Sequence, residues 1–294
     1  MNSLIDMLQQ LVGMLPWEWA HYEFMQRALL AVLLAAPLFA LVGTQVVWLR
    51  MAFFSDTLGH AALAGLALGV VAGLGKPLWA MIIWAVAMAL MVTWVQRRSQ
   101  EAADTVLGVF MAFSVALGIA LLARNGRMKE FLNYLIGDVL SISAGGIAGM
   151  LLALIVVVAL SFRWFNALAL TGLNASLAGS RGVRVGAVQA GFAVIVAVVV
   201  TMVIPWVGLL LINAFLILPA ATARLLARDT RQYVGLAIGL ALVSGVGGLI
   251  SSYYWGTATG ATIVLWAVGF YSLALIYKPG RAAVAAATPG DSGG

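Results

Sequence analysis

The chain has 294 residues, of which 64% are hydrophobic and only 9% are charged. A soluble domain carries about 25% charged residues, so this composition excludes soluble enzymes and soluble binding modules. The net charge of +6 comes from basic residues spread between apolar runs, without the clustered stripe that marks a nucleic-acid partner. Because the chain has no cysteine, any metal it handles must meet oxygen and nitrogen ligands.

Several apolar runs reach the roughly 20 residues that a helix needs to cross a bilayer, and none alternates as the strands of an outer-membrane barrel do. We therefore predict an all-α, polytopic membrane protein with eight or nine transmembrane helices. Three segments are expected: residues 1–26 as an amphipathic interfacial segment, residues 27–278 as the transmembrane domain, and residues 279–294 as a disordered tail.

In chain order, the first predicted span covers residues 27–49 and contains Pro37 as a kink. A small-residue stretch follows to about residue 75, and its polar run from Ser55 to Thr57 is a candidate break. Residues 124–143 include a run too short to cross the membrane, which indicates a re-entrant or interfacial helix. Residues 162–185 form the longest polar break and hold a short surface helix, which Asn174 begins and Gly182 ends. The other predicted spans cover residues 78–95, 104–123, 144–161, 186–204, 207–226, 233–251 and 259–277, with Pro205 and Trp206 separating two of them.

Charge asymmetry orients this bundle. If the first span runs from outside to inside, most of the 16 basic residues fall in the inside loops, among them Arg50, Arg97, Arg181 and Arg224. This distribution follows the positive-inside rule. The short helix in residues 162–185 is then on the cytoplasmic side.

The chemistry of the chain concentrates between Arg50 and Gly69, where Asp56 and His60 lie one helical turn apart in apolar sequence. Ionisable groups inside a membrane are costly and usually pair with each other, face the bundle interior or line an ion pathway. Two interpretations are open on the residues alone. Asp56 and His60 form a functional pair, or Asp56 caps the helix and His60 satisfies its carboxylate.

No other catalytic set is visible. Gly75 and Lys76 are followed by Pro77, so the chain has no phosphate loop, and any ATP hydrolysis belongs to a separate subunit. His60 is the only histidine in the predicted membrane part, which disfavours a zinc protease. Besides Asp56, only Asp138 sits against apolar sequence. A helix cap or a partner for Arg124 or Arg127 is its expected role, and contact with the transport pathway is the alternative. We therefore predict that the chain is not an enzyme.

A transporter remains, and a carboxylate with an imidazole suits a divalent first-row metal. Two ligands do not close a site, so water, a neighbouring helix or a second copy must add others. Asn213, in a later span, is a candidate pathway-lining residue together with Pro219, and a structural hydrogen bond between helices is the alternative for Asn213.

Four sequence blocks resemble the permease subunits of the zinc and manganese ABC importers. WLRMAFFSDTLGHAALAGLALG is similar to the family segment in which an arginine and a methionine precede a D-x-x-x-H pair, and LLINAFLILPAATARLLA looks like a later span of the same family. DTVLGVFMAFSVALGIALL and YLIGDVLSIS are similar to two further blocks. The resemblance extends over residues 27–277.

The resemblance implies a multi-pass permease of the bacterial cytoplasmic (inner) membrane, surrounded by lipid and paired with a second permease copy, most simply an identical one. It implies that the chain takes zinc, manganese or iron from an extracytoplasmic metal-binding protein. A cytoplasmic ATP-binding subunit drives transport, no cofactor is held permanently and no nucleic acid is involved. Importers of another small chelated nutrient and membrane subunits with a structural or receptor role are the alternatives.

The family's metal pair falls on Asp56 and His60. Its ATPase-coupling element falls on residues 174–183, and the residues assigned to it here are Asn174, Leu177, Ala178, Arg181, Gly182 and Val183. Relatives begin this element with acidic residues, whereas this chain has Asn174, Ala175 and Ser176. That departure affects the electrostatic part of ATPase docking. The residues do not decide among zinc, manganese and iron, since all three suit Asp with His.

Overall fold

A computed structural model describes residues 7, 9, 12, 13, 16–75, 77–99, 101–137 and 139–287. Within that part the regular secondary structure is entirely helical, which confirms the all-α prediction. Nine of its helices are long and apolar enough to cross a membrane: α1 (Glu23–Trp48), α2 (Ala52–Val71), α3 (Leu78–Arg98), α4 (Ala103–Arg124), α6 (Ala144–Leu173), α8 (Val185–Val207), α9 (Leu209–Leu226), α10 (Thr230–Trp255) and α11 (Thr259–Ala287). Two shorter helices, α5 (Met128–Ile136) and α7 (Ala175–Ser180), complete the series.

Three predicted boundaries were wrong. Residues 162–173 are not part of a polar break, because α6 continues through them to Leu173. Pro205 does not separate two spans either: it lies in the last turn of α8, and the chain breaks at Gly208. The run from Ser55 to Thr57 does not interrupt α2. The Ser55 hydroxyl donates a hydrogen bond to Ala52 O at 3.2 Å, and the Thr57 hydroxyl donates one to Phe53 O at 2.9 Å, both in the preceding turn. Satisfied in this way, short polar side chains are compatible with a continuous membrane helix.

The helices pack as two groups joined by α8 and α9. Helix α1 contacts α6, α9 and α10, while α2 contacts α3 and α4, and α8 packs against α2, α3 and α6. The spans α1 and α2 are the most enclosed. In each of them 72% of the residues in the apolar 18-residue stretch are buried, against 33% or less in α3, α4, α6, α10 and α11. The polar pair on α2 therefore lies on one of the two central helices.

Two glycines bring the segment after α5 against the junction of α8 and α9. Gly137 and Gly208 have φ values of +70° and +79°, in the region that favours glycine. A Cβ on Gly208 would lie 2.2 Å from Ile136 O, and a Cβ on Gly137 would lie 2.2 Å from Gly208 N. The contact is between backbones, so neither neighbour can move aside by changing a rotamer. The break that begins α9 is thus fixed by this glycine pair.

We expect Gly208→Ala to lower the thermal unfolding temperature of the purified protein in detergent. The positive φ alone costs about 1–3 kcal/mol for an alanine, and the backbone clash adds to it. Gly126→Ala is the matched control, because Gly126 has φ +67° but no atom within 4 Å of the added Cβ. Equal shifts for the two variants would contradict the proposed role of the contact.

The division of the chain into three segments stays a prediction. Helix α1 begins at Glu23, inside the segment 1–26, and α11 keeps its helical backbone to Ala287, inside the segment 279–294. Residues 288–294 and most residues before Pro16 lie outside the described part, as does Asp138.

Candidate functional site

Asp56 and His60 lie in the first turns of α2, directly after the connection from α1. That connection is short: Leu49 follows α1, Arg50 adopts φ +56°, and Met51 is the N-cap residue of α2. No side chain caps this helix, and Asp56 is already well inside it. Capping is therefore not the role of Asp56, and the interpretation of Asp56 as a helix cap was wrong.

The two side chains face each other without forming a hydrogen bond. His60 Nε2 is 3.7 Å from Asp56 Oδ1, longer than the normal range for such a bond. The His60 side chain is 18% exposed and that of Asp56 is 28% exposed, so neither is fully enclosed in the single chain. His60 Nδ1 is buried and has no hydrogen-bond partner among the described residues. The imidazole therefore keeps ligand capacity that its neighbour does not use.

Asn213, from α9, completes a cluster with this pair. Its Nδ2 donates a hydrogen bond of 2.5 Å to Asp56 Oδ1, across 157 residues of sequence. Its own Oδ1 is buried and finds no hydrogen-bond partner in the part of the chain that the structure describes. Asn213 thus forms a structural hydrogen bond between helices, the alternative given for it above, and its partner is Asp56 of the candidate site. A carboxylate, an imidazole and an amide oxygen therefore converge at one place.

A glycine allows α9 to approach α2 at this level. A Cβ on Gly59 would lie 2.0 Å from Leu209 Cδ1, so no larger residue fits without displacing that side chain. Gly59 lies one residue before His60, and Leu209 lies one turn before Asn213. The contact therefore supports the geometry of both polar residues. Sequence spacing alone offers no signal for a pairing between such distant segments.

Pro219 is not part of the cluster. It is buried in α9, six residues after Asn213, which is about 9 Å further along a helix axis. Among the described residues there is also no group of three or more His, Cys, Asp or Glu side chains that could hold a metal ion. The single chain thus offers a small, open donor set.

The predicted surface helix of residues 174–183 is present as α7. Asn174 Oδ1 accepts hydrogen bonds from the backbone N–H groups of Ser176 at 2.9 Å and Leu177 at 3.1 Å, and Gly182 ends the turn with φ +81°. This capping confirms the local prediction from Asn174 and Gly182.

The exposed face of α7 is apolar and basic. Leu177 is 48% exposed, and Arg181 and Gly182 are also exposed, whereas Ala178 is fully buried. The Val183 N–H bonds to Ala178 O at 3.0 Å, which ties the end of the element to its beginning. Leu177 on α7 and Arg181, the residue directly after that helix, are therefore the large exposed side chains that this element offers to a partner.

These features define a multi-pass helical membrane protein with a polar donor cluster between α2, one of its two most enclosed helices, and α9. The chain belongs to the ABC 3 transport family, whose model matches residues 21–278. The family resemblance of the sequence is thereby confirmed. The chain is a permease subunit of an ABC importer, and ATP hydrolysis belongs to a separate subunit.

Several characterised proteins are similar over most of their length. The high-affinity zinc uptake system membrane protein ZnuB of Haemophilus influenzae is 32% identical over 259 residues, covering 87% of this chain and 98% of that protein. The manganese transport system membrane protein MntC of Listeria monocytogenes is 26% identical over 259 residues, covering 88% and 92%. The solved structure of PsaBC from Streptococcus pneumoniae in complex with Fab aligns with a TM-score of 0.75 and 25% identity, covering 93% and 95%.

Proposed function

We propose that this permease moves a divalent first-row metal ion across the bacterial cytoplasmic membrane, with zinc as the first candidate and manganese and iron as the others. An extracytoplasmic metal-binding protein delivers the ion, and a cytoplasmic ATP-binding subunit drives its release inside. The observation that carries this proposal is the cluster of Asp56, His60 and Asn213, which presents oxygen and nitrogen donors with unused hydrogen-bond capacity. The names of the zinc and manganese relatives support it.

The donor types match the proposed substrate. An imidazole nitrogen suits zinc and the other first-row metals, and a carboxylate adds charge that offsets part of the lost hydration. Asn213 donates to one oxygen of Asp56, so the other oxygen stays available to the ion. A site with few ligands also suits transport, because an ion must leave as readily as it enters.

A single chain supplies too few metal ligands to close a site, and we therefore propose that a second copy of the chain supplies more. A closed zinc site takes four ligands, more than the pair of Asp56 and His60 supplies, and both side chains are partly exposed in the single chain. A homodimer that places the same cluster opposite itself doubles the donors around one path. Helix α7, with Leu177 exposed, is the proposed contact with the ATP-binding subunit.

Growth under chelation tests the function. Bacteria without their own high-affinity metal uptake would express the chain with its ATP-binding and metal-binding partners, and each metal would be restored singly to chelated medium. We expect growth to recover with zinc, manganese or iron at concentrations that leave the parent strain arrested. Recovery only with an intact chelate, or with none of these metals, would contradict the proposal.

We expect Asn213→Ala to raise the KM for metal uptake by about 10–100-fold, the usual effect of losing a partner of a metal ligand. The substitution removes the hydrogen bond to Asp56 and the unpartnered amide oxygen together. Asn213→Gln retains an amide and should restore part of the affinity. Thr222→Ala, which removes a hydroxyl bonded within α9, is the control for loss of a polar group on the same helix. Unchanged uptake in Asn213→Ala would show that Asn213 has no role in binding the metal.

A further inference from the structure

Two spaces adjoin where α1 ends and α9 connects to α10. The first is a cavity of about 360 Å³ between α1, α6 and α10, lined mostly by apolar surface, with Leu41, Val158 and Phe165 among its residues. The second has a volume of about 210 Å³ and is lined mainly by Trp48, Arg224, Ala227, Arg228, Asp229, Thr230 and Tyr233. One space is therefore apolar and the other is polar.

An aromatic wall lies between these spaces. The ring of Trp48 is 5.4 Å from the ring of Phe165, which lines the apolar cavity, and 5.5 Å from the ring of Tyr233, which lines the polar space. Val234, the next residue after Tyr233, faces the apolar cavity. The two spaces are thus neighbours along the same group of helices.

The polar space is basic. Arg224 donates a hydrogen bond of 3.1 Å to Val47 O, and its side chain and that of Arg228 are exposed. Within the described chain, neither arginine has a carboxylate within 4.0 Å. Asp229 also lines this space, but its Oδ1 accepts from the backbone N–H of Gln232 at 2.8 Å as the cap of α10. Two cations and one occupied carboxylate leave an excess of positive charge.

The apolar cavity contains one fixed polar pair. Gln45 is 5% exposed, and its Nε2 donates to Ser161 Oγ at 2.9 Å, which joins α1 to α6. Most of the remaining lining is hydrocarbon and aromatic. A concave, mainly apolar volume with few placed polar groups is the usual form of a site for a small amphiphilic ligand.

We propose that this end of the bundle binds an anionic phospholipid. Its phosphate lies against Arg224 and Arg228, and one acyl chain occupies the cavity between α1, α6 and α10. Arginines at the ends of membrane helices attract acidic headgroups, and pockets between helices on the cytoplasmic side retain them. The positive-inside distribution of charge puts this end of the bundle on the cytoplasmic side. The inference does not depend on which substrate the permease carries.

Native mass spectrometry of the purified full chain tests this site. The chain in neutral detergent is titrated with dioleoylphosphatidylglycerol, with dioleoylphosphatidylcholine and with glycerol 3-phosphate. We expect phosphatidylglycerol to bind at least about tenfold more tightly than phosphatidylcholine, and glycerol 3-phosphate to bind too weakly to detect. In Arg224→Gln/Arg228→Gln the affinity for phosphatidylglycerol should fall about thirtyfold, since each arginine near an acidic lipid contributes roughly fivefold.

Matched variants separate this site from general attraction to positive charge. Arg98→Gln/Arg184→Gln removes the same amount of charge from other exposed positions and should bind phosphatidylglycerol as the wild type does. Val158→Phe fills the apolar cavity without changing charge and should weaken binding of phosphatidylglycerol. If the double arginine variant does not fold, Arg228→Gln alone carries the test, with an expected fivefold loss.

Several results would overturn the proposal. Equal affinity for the two lipids would show that binding does not depend on the net negative charge of the headgroup. An equal loss in both arginine double variants would indicate non-specific attraction. Unchanged binding of phosphatidylglycerol in Val158→Phe would show that no acyl chain occupies the cavity. Tight binding of glycerol 3-phosphate would identify a site for free phosphate esters instead.

Discussion

ATP-driven metal uptake should fall at least about hundredfold when Asp56 is replaced by asparagine or His60 by alanine. Loss of a residue that only supports a metal ligand costs about 10–100-fold, so loss of a ligand itself belongs at or beyond the upper end. The initial rate of uptake at subsaturating metal is the measurement. Both residues lie on one of the most enclosed helices of the bundle, and no group of three or more His, Cys, Asp or Glu side chains forms in the described part of the chain to replace them.

The two variants should insert and fold. His60 makes no hydrogen bond with Asp56 at 3.7 Å, and its Nδ1 has no partner, so alanine leaves no neighbouring group newly unpaired. Asparagine at position 56 retains an oxygen that can accept from Asn213. Expression level and elution volume on size exclusion should therefore match those of the wild type.

The chain supplies matched controls for both changes. Asp104→Asn removes a carboxylate from the exposed first turn of α4, and His21→Ala removes the only other histidine, which is also exposed. Neither should alter uptake by more than about twofold, as expected for surface substitutions of small energetic effect. Wild-type uptake in both Asp56→Asn and His60→Ala would show that the pair has no part in the metal path.

Leu177→Glu should separate the permease from its ATP-binding subunit. Leu177 is 48% exposed on α7, so the substitution changes the surface and leaves the buried Ala178 in place. Changing one of the few residues that dominate an interface costs about 2 kcal/mol or more, equivalent to about a thirtyfold weaker complex. We expect co-purification of the two subunits and metal-stimulated ATP hydrolysis to be lost together.

Leu132→Glu is the control for this change. Leu132 lies on α5 and is 47% exposed, nearly as much as Leu177, but the charge distribution puts it on the opposite side of the membrane. Co-purification should persist in that variant. Retention of the ATP-binding subunit by Leu177→Glu would exclude α7 as its docking element.

Local signals in the sequence account for much of this site. The four-residue spacing of Asp56 and His60 is a property of one helix, and Asn174 with Gly182 encodes both ends of α7. The bond between Asn213 and Asp56 could not be predicted in the same way, because it joins segments 157 residues apart. It depends on the approach of two helices at Gly59, which only tertiary packing defines.

The misplaced boundaries have a similar origin. Residues 162–173 contain enough polar side chains to suggest a break, yet α6 continues through them, and Gly172 packs directly against Trp48 O at the end of α1. Pro205 is tolerated in the last turn of α8, while the actual break is at Gly208, which has a positive φ and packs against the backbone of Ile136 and Gly137. Propensity indicates where a helix can end, and packing decides where it does.

Uptake by the purified complex in proteoliposomes tests the central claim most directly. Vesicles containing the permease, its ATP-binding subunit and its metal-binding protein would receive zinc, manganese, iron(II), magnesium and calcium together, and the metal inside would be measured by element-resolved mass spectrometry. We predict ATP-dependent accumulation of one or more of the three transition metals, without magnesium or calcium, and none in vesicles carrying Asp56→Asn. Equal accumulation with and without the Asp56 carboxylate, or entry of no transition metal at all, would contradict this account.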